Sequence, residues 1–272
     1  MEEPVEELTD LGILVYGSKK KEYAVEIPIL LGRRLPLNWE WVDSSANTIM
    51  ARRLQPSPAY YKEFLSRSPF ENIKTLFRGS RCQRAIIRGE RLRKNGFNTP
   101  AIHCWGKKGH RYFMIIEGID AVSLSTHIEK NWIPPLAGKE LVAKRELIEK
   151  LGNEIGTLHK TGICHGDLRL SNVLVEKTEQ HISFHFIDNE RSSLFKKIPR
   201  RLVIKNLVQL NMIFVPNVSR QDRLRFFNAY SKTYGRFDSG EKMALMKAVY
   251  ERTMERMAKK LDKYKRARQN DL

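Results

Sequence analysis

The spacing of apolar residues changes along the chain, from alternation with polar residues in the first half to a repeat of three or four in the second. Alternation is typical of half-buried strands, whereas the longer repeat is typical of helices with one buried face. The alternating pattern predicts strands at residues 39–42, 48–54, 60–65, 101–105 and 112–116. The helical pattern predicts helices over 70–95, over 141–158 and from Ile204 to the end.

Stop signals and a second set of apolar runs refine this outline. Asn95-Gly96 and Thr161-Gly162 end the first two helices. Apolar runs at 173–175 and 182–187 predict a hairpin after the second helix. In the last helix, a methionine-rich stripe from Met243 to Tyr264 is expected to pack in the core or against the other lobe, with a partner-binding groove as the alternative.

The mixture of elements predicts an α+β fold with two lobes. A small, β-rich N-terminal lobe is expected at residues 39–118, and a larger, mostly helical C-terminal lobe at 119–272. Residues 1–38 are expected to form an N-terminal extension. Within it, Leu11–Tyr16 and Glu22–Ile27 alternate around a Gly-Ser turn and predict a hairpin.

One segment of the second half carries polar residues in a spacing that points to chemistry. Asp167 and Asn172 are five positions apart in it, and Asp188 follows at the end of the next apolar run. Phosphoryl transfer needs a carboxylate that accepts the proton of an attacking hydroxyl, and oxygen ligands for the magnesium that accompanies ATP. We therefore expect Asp167 to be the base, and Asn172 and Asp188 to hold Mg²⁺ and the ATP phosphates.

Two further residues of this segment belong to the expected catalytic set. Arg169 is placed to neutralise charge on the transferring phosphate, and His165 is expected to anchor the loop. Each residue alone has an ordinary explanation, because an aspartate after an apolar run is usually a turn residue or a helix cap. The complete set in this order is much rarer and favours a kinase.

The first half offers candidate contacts for the nucleotide. Lys62, on the third predicted strand, is the candidate for the lysine that grips the α- and β-phosphates, although a strand lysine is more often solvated. Its glutamate partner must come from the next helix, where Glu71 and Glu90 are available and Glu90 is better placed. Glu90 has an alternative role as an exposed partner of neighbouring arginines. The backbone at Glu117-Gly118 is expected to meet adenine, and the turn at 43–47 occupies the place of a phosphate-covering loop but lacks glycine.

Charge adds a second clue. The formal net charge is +18, and basic residues cluster at 74–94, 191–205 and 259–268. One such cluster is usually a solvated helix face. Three of them on one chain indicate an anionic environment, such as nucleic acid, phospholipid headgroups or phosphorylated glycolipids.

Other features narrow the setting. The apolar runs are far shorter than the ~20 residues that span a bilayer, and the acidic first residues lack the pattern of a secretory signal. Three cysteines without close pairing favour a reducing compartment, so the cytoplasm is expected. The dipeptides His103-Cys104 and Cys164-His165 lack the spacing of structural zinc sites.

The segment after Asp188 is short. Residues 192–198 lead directly to Pro199-Arg200-Arg201, without an Ala-Pro-Glu element. This argues against a protein kinase that is switched by loop phosphorylation. It favours a kinase for a small molecule or a glycan.

Several stretches of the chain, taken in order, resemble one known family. They are Arg84–Pro100, Tyr112–Asp120, Leu158–Arg169, Ile187–Arg191 and Ile198–Leu207. Together they look like the bacterial lipopolysaccharide kinase family (Kdo/WaaP), which phosphorylates inner-core heptose or 3-deoxy-manno-octulosonic acid (Kdo). The resemblance is strongest over residues 155–210.

The resemblance implies a bilobal protein-kinase-like fold, ATP and Mg²⁺ as cofactors, and a sugar hydroxyl on a lipid A-linked core as acceptor. The family's roles fall on four residues, with Asp167 as base, Asn172 and Asp188 as metal ligands, and Lys62 as nucleotide lysine. The chain departs from the family in two places. Arg84-Ala85 stand where a glutamate is expected, and Asn206 stands where an aspartate commonly braces the catalytic loop.

These features predict partners and location. We expect peripheral attachment to the inner face of the cytoplasmic membrane through the clusters at 191–205 and 259–268, with an anionic glycolipid as substrate. No specific nucleic acid is expected, and a carrier protein is a candidate partner. Two alternatives stay open: a kinase-fold phosphotransferase for a small molecule or a protein- or RNA-linked target, and a pseudokinase binding module. The presence of Asp167, Asn172 and Asp188 argues against the second, since pseudokinases usually lose at least one of them.

Overall fold

The computed structural model describes residues 5–66, 79–178, 181–213 and 217–270. They divide into two compact units, one drawn from Met1–Lys94 and Thr99–Asp120, the other from Asn95–Asn98 and Ala121–Leu272. Antiparallel sheet dominates the first unit and helices dominate the second, so the expected α+β class is confirmed. The predicted lobe boundary after residue 118 lies close to the boundary between the units at Asp120.

The N-terminal unit is built on one six-stranded sheet. Its strands in chain order are β1 (Ile13–Tyr16), β2 (Trp39–Val42), β3 (Thr48–Arg53), β4 (Ala59–Phe64), β5 (Ile102–Lys108) and β6 (Arg111–Glu117). They lie in the order β1-β5-β6-β4-β3-β2, with antiparallel neighbours throughout. All five strands predicted in this region are confirmed, and β5 runs on as far as Lys108.

Helices and turns cover both faces of this sheet. The helices are α1 (Glu6–Thr9), α2 (Glu26–Leu31) and α3 (Arg81–Lys94). One core joins Tyr23, Ile27 and Leu30 to the sheet residue Phe113, and a second core joins Cys82 and its α3 neighbours to Phe64. The helix predicted over 70–95 is therefore seen from Arg81 onward, and residues 67–78 lie outside the described residues.

The hairpin predicted for the N-terminal extension is wrong. β1 pairs with β5 instead, and residues 22–27 form a turn and the start of α2. The reason is packing, because Tyr23, Ile27 and Leu30 recur at helical spacing and are fully buried in the core. Arg53 of β3 holds this segment with ion pairs to Glu22 at 2.7 Å and to Glu26 at 3.3 Å. The segment is thus an integral part of the N-terminal unit.

The C-terminal unit contains five helices and five short strands among the described residues. The helices are α4 (Leu124–Asn131), α5 (Gly138–Lys160), α6 (Arg200–Leu210), α7 (Arg220–Tyr234) and α8 (Ser239–Asn270). The strands are β7 (Val122–Ser123), β8 (Ile163–Cys164), β9 (Val173–Lys177), β10 (Ile182–Phe186) and β11 (Ser193–Leu194). The predicted hairpin is confirmed as β9 and β10, with Phe186 opposite Val173.

Two glycines bring α5 and α7 close together. A Cβ atom at Gly152 would lie 2.6 Å from the carbonyl oxygen of Phe226, and one at Gly156 would lie 2.9 Å from that of Tyr230. Such distances leave no room for a side chain. The close approach fixes α5, and α5 leads directly into the loop that carries the candidate catalytic residues.

The long helix α8 differs from the prediction. Its buried face is formed by Leu245, Val249 and Thr253, whereas Met243 is 61% exposed and Leu261 is 48% exposed. The prediction that the methionine-rich stripe packs in the core therefore holds for Val249 and is wrong for Met243 and Leu261. None of the helices formed by the described residues combines the length and the apolar character that crossing a bilayer requires.

Candidate active site

The candidate catalytic loop lies between β8 and a short 3-10 turn at Leu170–Asn172. Its entry is fixed by Gly162, which has a φ of +86° and would place a Cβ atom 2.0 Å from the carbonyl oxygen of Phe195. Gly166 has a φ of +78° and similarly abuts the carbonyl oxygen of Arg191. Only glycine fits these two positions, so the backbone path of the loop is set by its sequence.

Asp167 is held at one of its two carboxylate oxygens. Oδ1 accepts a hydrogen bond from Nε2 of Gln209 at 3.0 Å and another from Nε of Arg169 at 2.8 Å. Among the described residues no side chain donates to Oδ2. The carboxylate is therefore oriented by two donors while one oxygen keeps its capacity to accept a proton.

Asn172 ties the loop to the end of the β9–β10 hairpin. Its Nδ2 donates to the carbonyl oxygen of Asp167 at 2.9 Å, and its own carbonyl oxygen accepts from the backbone N–H of Ile187 at 3.0 Å. This second bond brings the residue before Asp188 against Asn172. The structure thus places Asp167, Asn172 and the backbone next to Asp188 close together, and the catalytic roles of these residues stay predictions.

The oxygen donors at this point fit a magnesium ion. Among the described residues, the Oδ1 atom of Asn172 accepts no hydrogen bond, and the neighbouring Asp188 contributes a carboxylate from a left-handed backbone conformation with a φ of +61°. Mg²⁺ prefers one or two protein oxygens and takes its remaining ligands from water and phosphate. The same part of the chain contains no group of three or more His, Cys, Asp or Glu arranged to hold a metal.

His165 is an anchor of the loop. Its ring is fully buried, and Nε2 donates to the carbonyl oxygen of Ile187 at 3.1 Å. Burial lowers the pKa of His165 below its ordinary value, which keeps the ring neutral. A neutral, buried ring that holds the residue before Asp188 positions the site and is not placed to exchange protons with a substrate.

Behind the loop lies a network of polar residues that the sequence did not reveal as a unit. Gln209 of α6 donates to Asp167 and accepts from the backbone N–H of Leu168 at 3.1 Å and from Nδ2 of Asn206 at 3.3 Å. Asn206 in turn accepts from Nε2 of His159 at 3.2 Å. Gln209 and Asn206 are one helical turn apart, a spacing that could have signalled a shared face.

The donors of this network all run in one direction. Because Oδ1 of Asn206 can only accept, His159 carries its proton on Nε2, and its Nδ1 accepts from the Tyr230 hydroxyl at 2.9 Å. Burial lowers the pKa of His159 to about 4, so the ring is neutral. The chain of bonds from Tyr230 therefore ends with a donor aimed at the Asp167 carboxylate, without any buried charge along it.

Lys62 lies on the α3-facing side of β4 in the N-terminal unit. Its Nζ lies 5.4 Å from the centre of the Phe64 ring, and its charge acts on the buried thiol of Cys82 at the start of α3. Its strand neighbours are Met50 and Met114. Lys62 therefore lies on the face of the sheet that packs against α3.

No ion pair joins Glu90 to Lys62 among the described residues, and the predicted pairing stays a prediction. Glu90 stands on the exposed side of α3, two helical turns beyond Cys82, and forms no ion pair with any described residue. The face of α3 that packs on the sheet is instead formed by Cys82, Ala85, Gly89 and Leu92. Glu71, the other glutamate available in the sequence, lies outside the described residues.

Glu117 and Gly118 have structural roles at the end of β6. The Glu117 side chain accepts from the backbone N–H of Ala101 at 3.0 Å, and the N–H of Gly118 donates to the carbonyl oxygen of Pro58 at 2.9 Å. These bonds hold the ends of β4, β5 and β6 together. The N–H of Gly118 is therefore engaged within the unit, and a contact of this backbone with adenine stays a prediction.

The fold that holds these residues is similar to that of a solved lipopolysaccharide kinase. WaaP, determined in complex with acyl carrier protein, matches over 89% of this chain and 98% of its own, with a TM-score of 0.62 and 16% identity. The expected protein-kinase-like fold is thereby confirmed.

A family model decides the affiliation. The model described as "Lipopolysaccharide kinase (Kdo/WaaP) family" matches residues 78–230. This chain belongs to that family. Because the family consists of kinases and the fold is theirs, the protein is a phosphotransferase.

Curated relatives share shorter stretches with this chain. The EKC/KEOPS complex subunit bud32 of Aspergillus fumigatus is 27% identical over 143 residues, which cover 46% of this chain and 48% of the relative. The probable serine/threonine-protein kinase fnkB of Dictyostelium discoideum is 34% identical over 84 residues, 31% of this chain and 15% of the relative. The chain thus spans about half the length, or less, of these two relatives.

Proposed function

We propose that this protein is an ATP- and Mg²⁺-dependent sugar kinase that phosphorylates a hydroxyl of the lipopolysaccharide inner core, on heptose or Kdo. The observation that carries the proposal is the Asp167 carboxylate, which is fixed through Oδ1 beside Asn172 and the hairpin end that bears Asp188. Two observations support the proposal: the candidate base and the two candidate oxygen ligands lie around one loop, and the lipopolysaccharide kinase family model matches residues 78–230.

In this mechanism Oδ2 of Asp167 accepts the proton of the acceptor hydroxyl. The hydroxyl oxygen then bonds to the γ-phosphorus while the bond between that phosphorus and the β–γ bridging oxygen breaks, and ADP leaves. Arg169 supplies positive charge beside the base. Asn172 and Asp188 would hold Mg²⁺, which neutralises charge on the phosphates.

For the nucleotide, we assign Lys62 to the α- and β-phosphates and the backbone near Glu117 to adenine. Lys62 is the strand lysine that faces α3, which is the arrangement of the phosphate-binding lysine in protein kinases. Only the backbone of Glu117 remains a candidate contact for adenine, because its side chain accepts a hydrogen bond from Ala101.

We also infer peripheral attachment to the anionic inner face of the cytoplasmic membrane. The cluster at 191–205 is fully displayed, since all six of its basic side chains are exposed: Arg191, Lys196, Lys197, Arg200, Arg201 and Lys205. Each such residue contributes about 1 kcal/mol near an anionic surface. Binding to vesicles that contain phosphatidylglycerol should weaken as salt is raised, and salt-insensitive or absent binding would refute the attachment.

A carrier protein is the partner we propose for this chain. WaaP, whose fold it shares, was determined in complex with acyl carrier protein. Co-purification of the tagged protein with acyl carrier protein from the same cells, and its absence after purification of an unrelated basic protein, would support the assignment.

The decisive experiment is incubation with ATP-Mg²⁺ and a dephosphorylated core glycolipid. Wild-type protein should transfer the γ-phosphate to the glycan, and Asp167→Ala should lose about 10²- to 10⁴-fold in rate because it lacks the base. Equal turnover by the variant would end the assignment of Asp167. The similarity to the probable serine/threonine-protein kinase fnkB favours one rival, a protein target, so transfer to a protein substrate with none to the glycan would replace the sugar acceptor.

A further inference from the structure

The first residue of α3 is a buried arginine that reaches two other segments of the N-terminal unit. Arg81 is 6% exposed, and its Nη1 atom donates to the carbonyl oxygen of Asn47 at 2.8 Å and to that of Leu65 at 3.3 Å. Asn47 ends the turn between β2 and β3, and Leu65 follows directly after β4. A buried charge needs such acceptors, because its removal from water is costly. One side chain therefore joins the start of α3 to the end of a turn and the end of a strand.

The turn between β2 and β3 keeps its shape through hydroxyl and backbone bonds rather than through glycine. Oγ of Ser45 lies 2.9 Å from Oγ1 of Thr48, and the N–H of Thr48 donates to the carbonyl oxygen of Ser45 at 2.9 Å. The turn is anchored to its surroundings at Asn47. The carbonyl oxygen of Asn47 accepts from the backbone N–H of Leu65 at 3.0 Å as well as from Arg81. A self-closed turn is thus tied to β4 and α3 at one atom.

The same arginine is linked to Lys62 through an aromatic ring. Cζ of Arg81 lies 5.1 Å from the centre of the Phe64 ring, and Nζ of Lys62 lies 5.4 Å from it. Both distances fall in the range of cation–π attraction. Lys62 and Phe64 are two positions apart on β4, so their side chains share one face of the sheet. Arg81 therefore packs on the ring that flanks the candidate phosphate-binding lysine.

We propose that Arg81 is a positioning residue for ATP. It holds the turn between β2 and β3, and through Phe64 the side chain of Lys62, in the places from which both contact the phosphates. Groups that are already held in place bind a ligand more tightly, because less conformational freedom is lost on binding. The inference rests on the proposed function, since it takes Lys62 as the phosphate-binding lysine. It adds that this glycine-free turn covers the phosphates and that α3 sets its place.

The test compares Arg81→Met with Arg93→Met. Arg93 lies near the other end of α3, and its Nη2 atom donates to the carbonyl oxygen of Pro100 at 3.0 Å. Both substitutions remove a guanidinium and its bond to a backbone carbonyl from the same helix, but only the first releases the turn between β2 and β3. Binding of ATP-Mg²⁺ and of adenosine is measured by calorimetry well below the melting temperature of each variant. Turnover is measured with the core glycolipid.

Arg81→Met should raise both Kd and KM for ATP about tenfold, because the phosphate contacts lose their fixed places. Its Kd for adenosine, which carries no phosphate, and its KM for the glycolipid should stay within about twofold of wild type, as should all constants of Arg93→Met. General damage to the fold would instead weaken adenosine and ATP alike, or lower the fraction of protein that binds at an unchanged Kd.

Arg81→Lys is the second variant, and it decides the comparison if Arg81→Met does not fold. Lysine keeps the charge but lacks the planar fork of donors that reaches two carbonyl groups, so Kd for ATP should rise about threefold with adenosine binding unchanged.

The outcomes separate this inference from the proposed function. A wild-type Kd for ATP in the folded Arg81 variants, or an equal loss for ATP and adenosine, would overturn the role of Arg81 and leave the sugar-kinase assignment intact. If wild type binds ATP and the Arg81 variants show the expected loss, but no phosphate reaches the glycolipid, the inference stands and the sugar-kinase assignment falls. Absence of ATP binding by the wild type would overturn both.

Discussion

The catalytic loop and the strand that carries Lys62 hold their candidate residues in different ways. In the loop, Asp167 and Asn172 are fixed by bonds that close within a few positions of the chain. Lys62 faces a separate helix, and the glutamate expected to pair with it, Glu90, stands on the exposed side of that helix. Spacing along the sequence predicts which side chains lie close together when one tight turn connects them. It does not predict this when the two residues lie on a strand and on a helix that packs against it.

The largest effect should come from the end of the hairpin that meets the loop. Asp188→Asn removes one proposed carboxylate ligand of Mg²⁺, so phosphoryl transfer should fall about a thousandfold, since the metal supplies several kcal/mol of charge stabilisation. The rate is measured at increasing magnesium. The control is Glu176→Gln on β9, a half-buried carboxylate that pairs with His185. A similar loss in both variants would contradict a special role for Asp188.

The stability of the protein should depend on pH through His159, which belongs to the network behind the loop. Because burial lowers the pKa of His159 to about 4, the unfolded chain binds more protons than the folded one between pH 4 and about 6.5. The free energy of unfolding should therefore be full above pH 6.5 and fall by about 2 kcal/mol between pH 7 and pH 5. Urea unfolding at both pH values measures it.

His159→Gln is the matched variant for this measurement. It should unfold with a smaller difference between the two pH values, and His165, whose pKa burial also lowers, should account for part of what remains. An unchanged pH dependence in the variant would remove His159 as the cause.

A change at Gln209 tests how much the hydrogen bond to Asp167 contributes to catalysis. Gln209→Glu keeps an acceptor for Leu168 and Asn206 but replaces the donor to Asp167 by a negative charge. We expect kcat to fall about 10- to 100-fold, with KM for ATP unchanged. The acidic limb of the pH–rate profile should move to higher pH, because a nearby negative charge raises the pKa of a carboxyl group. A lower kcat without a displaced profile would indicate general damage to the fold.

The smallest effect should separate Lys62 from Glu90. Lys62→Ala should raise KM for ATP about tenfold if the lysine contacts the phosphates. Glu90→Gln should leave KM and kcat within about twofold of wild type, because its side chain is exposed and forms no ion pair with the described residues. Equal defects in both variants would indicate that Lys62 and Glu90 act as a pair.

The same contrast explains what the sequence could predict of this molecule. The β9–β10 hairpin and the loop before it follow from local apolar runs and glycine positions, and both are found where expected. The role of Gln209 does not follow, because its contact with Asp167 spans 42 positions and depends on how α6 packs. The fate of residues 22–27 was missed for a related reason, since alternation over a few residues cannot reveal a turn that buries Tyr23.

The asparagine at position 206, a departure from the family pattern, has a physical explanation in the network. Its amide accepts from His159 and Cys164 at Oδ1 and donates to Gln209 through Nδ2. An aspartate could accept both bonds but could not donate, and it would add a second buried negative charge near Asp167. Asn206 and Gln209 therefore form a matched pair, and a change at one position calls for a change at the other.

The pairing of β1 with β5 matters for anyone who shortens this protein. A chain cut at the predicted boundary near residue 38 would lose the edge strand β1, which pairs with β5, together with Tyr23, Ile27 and Leu30. The backbone of β5 would then offer open N–H and C=O groups to other copies, which is a common route to aggregation. A shortened chain for expression should therefore begin before Ile13, so that β1 remains paired with β5 at the edge of the sheet.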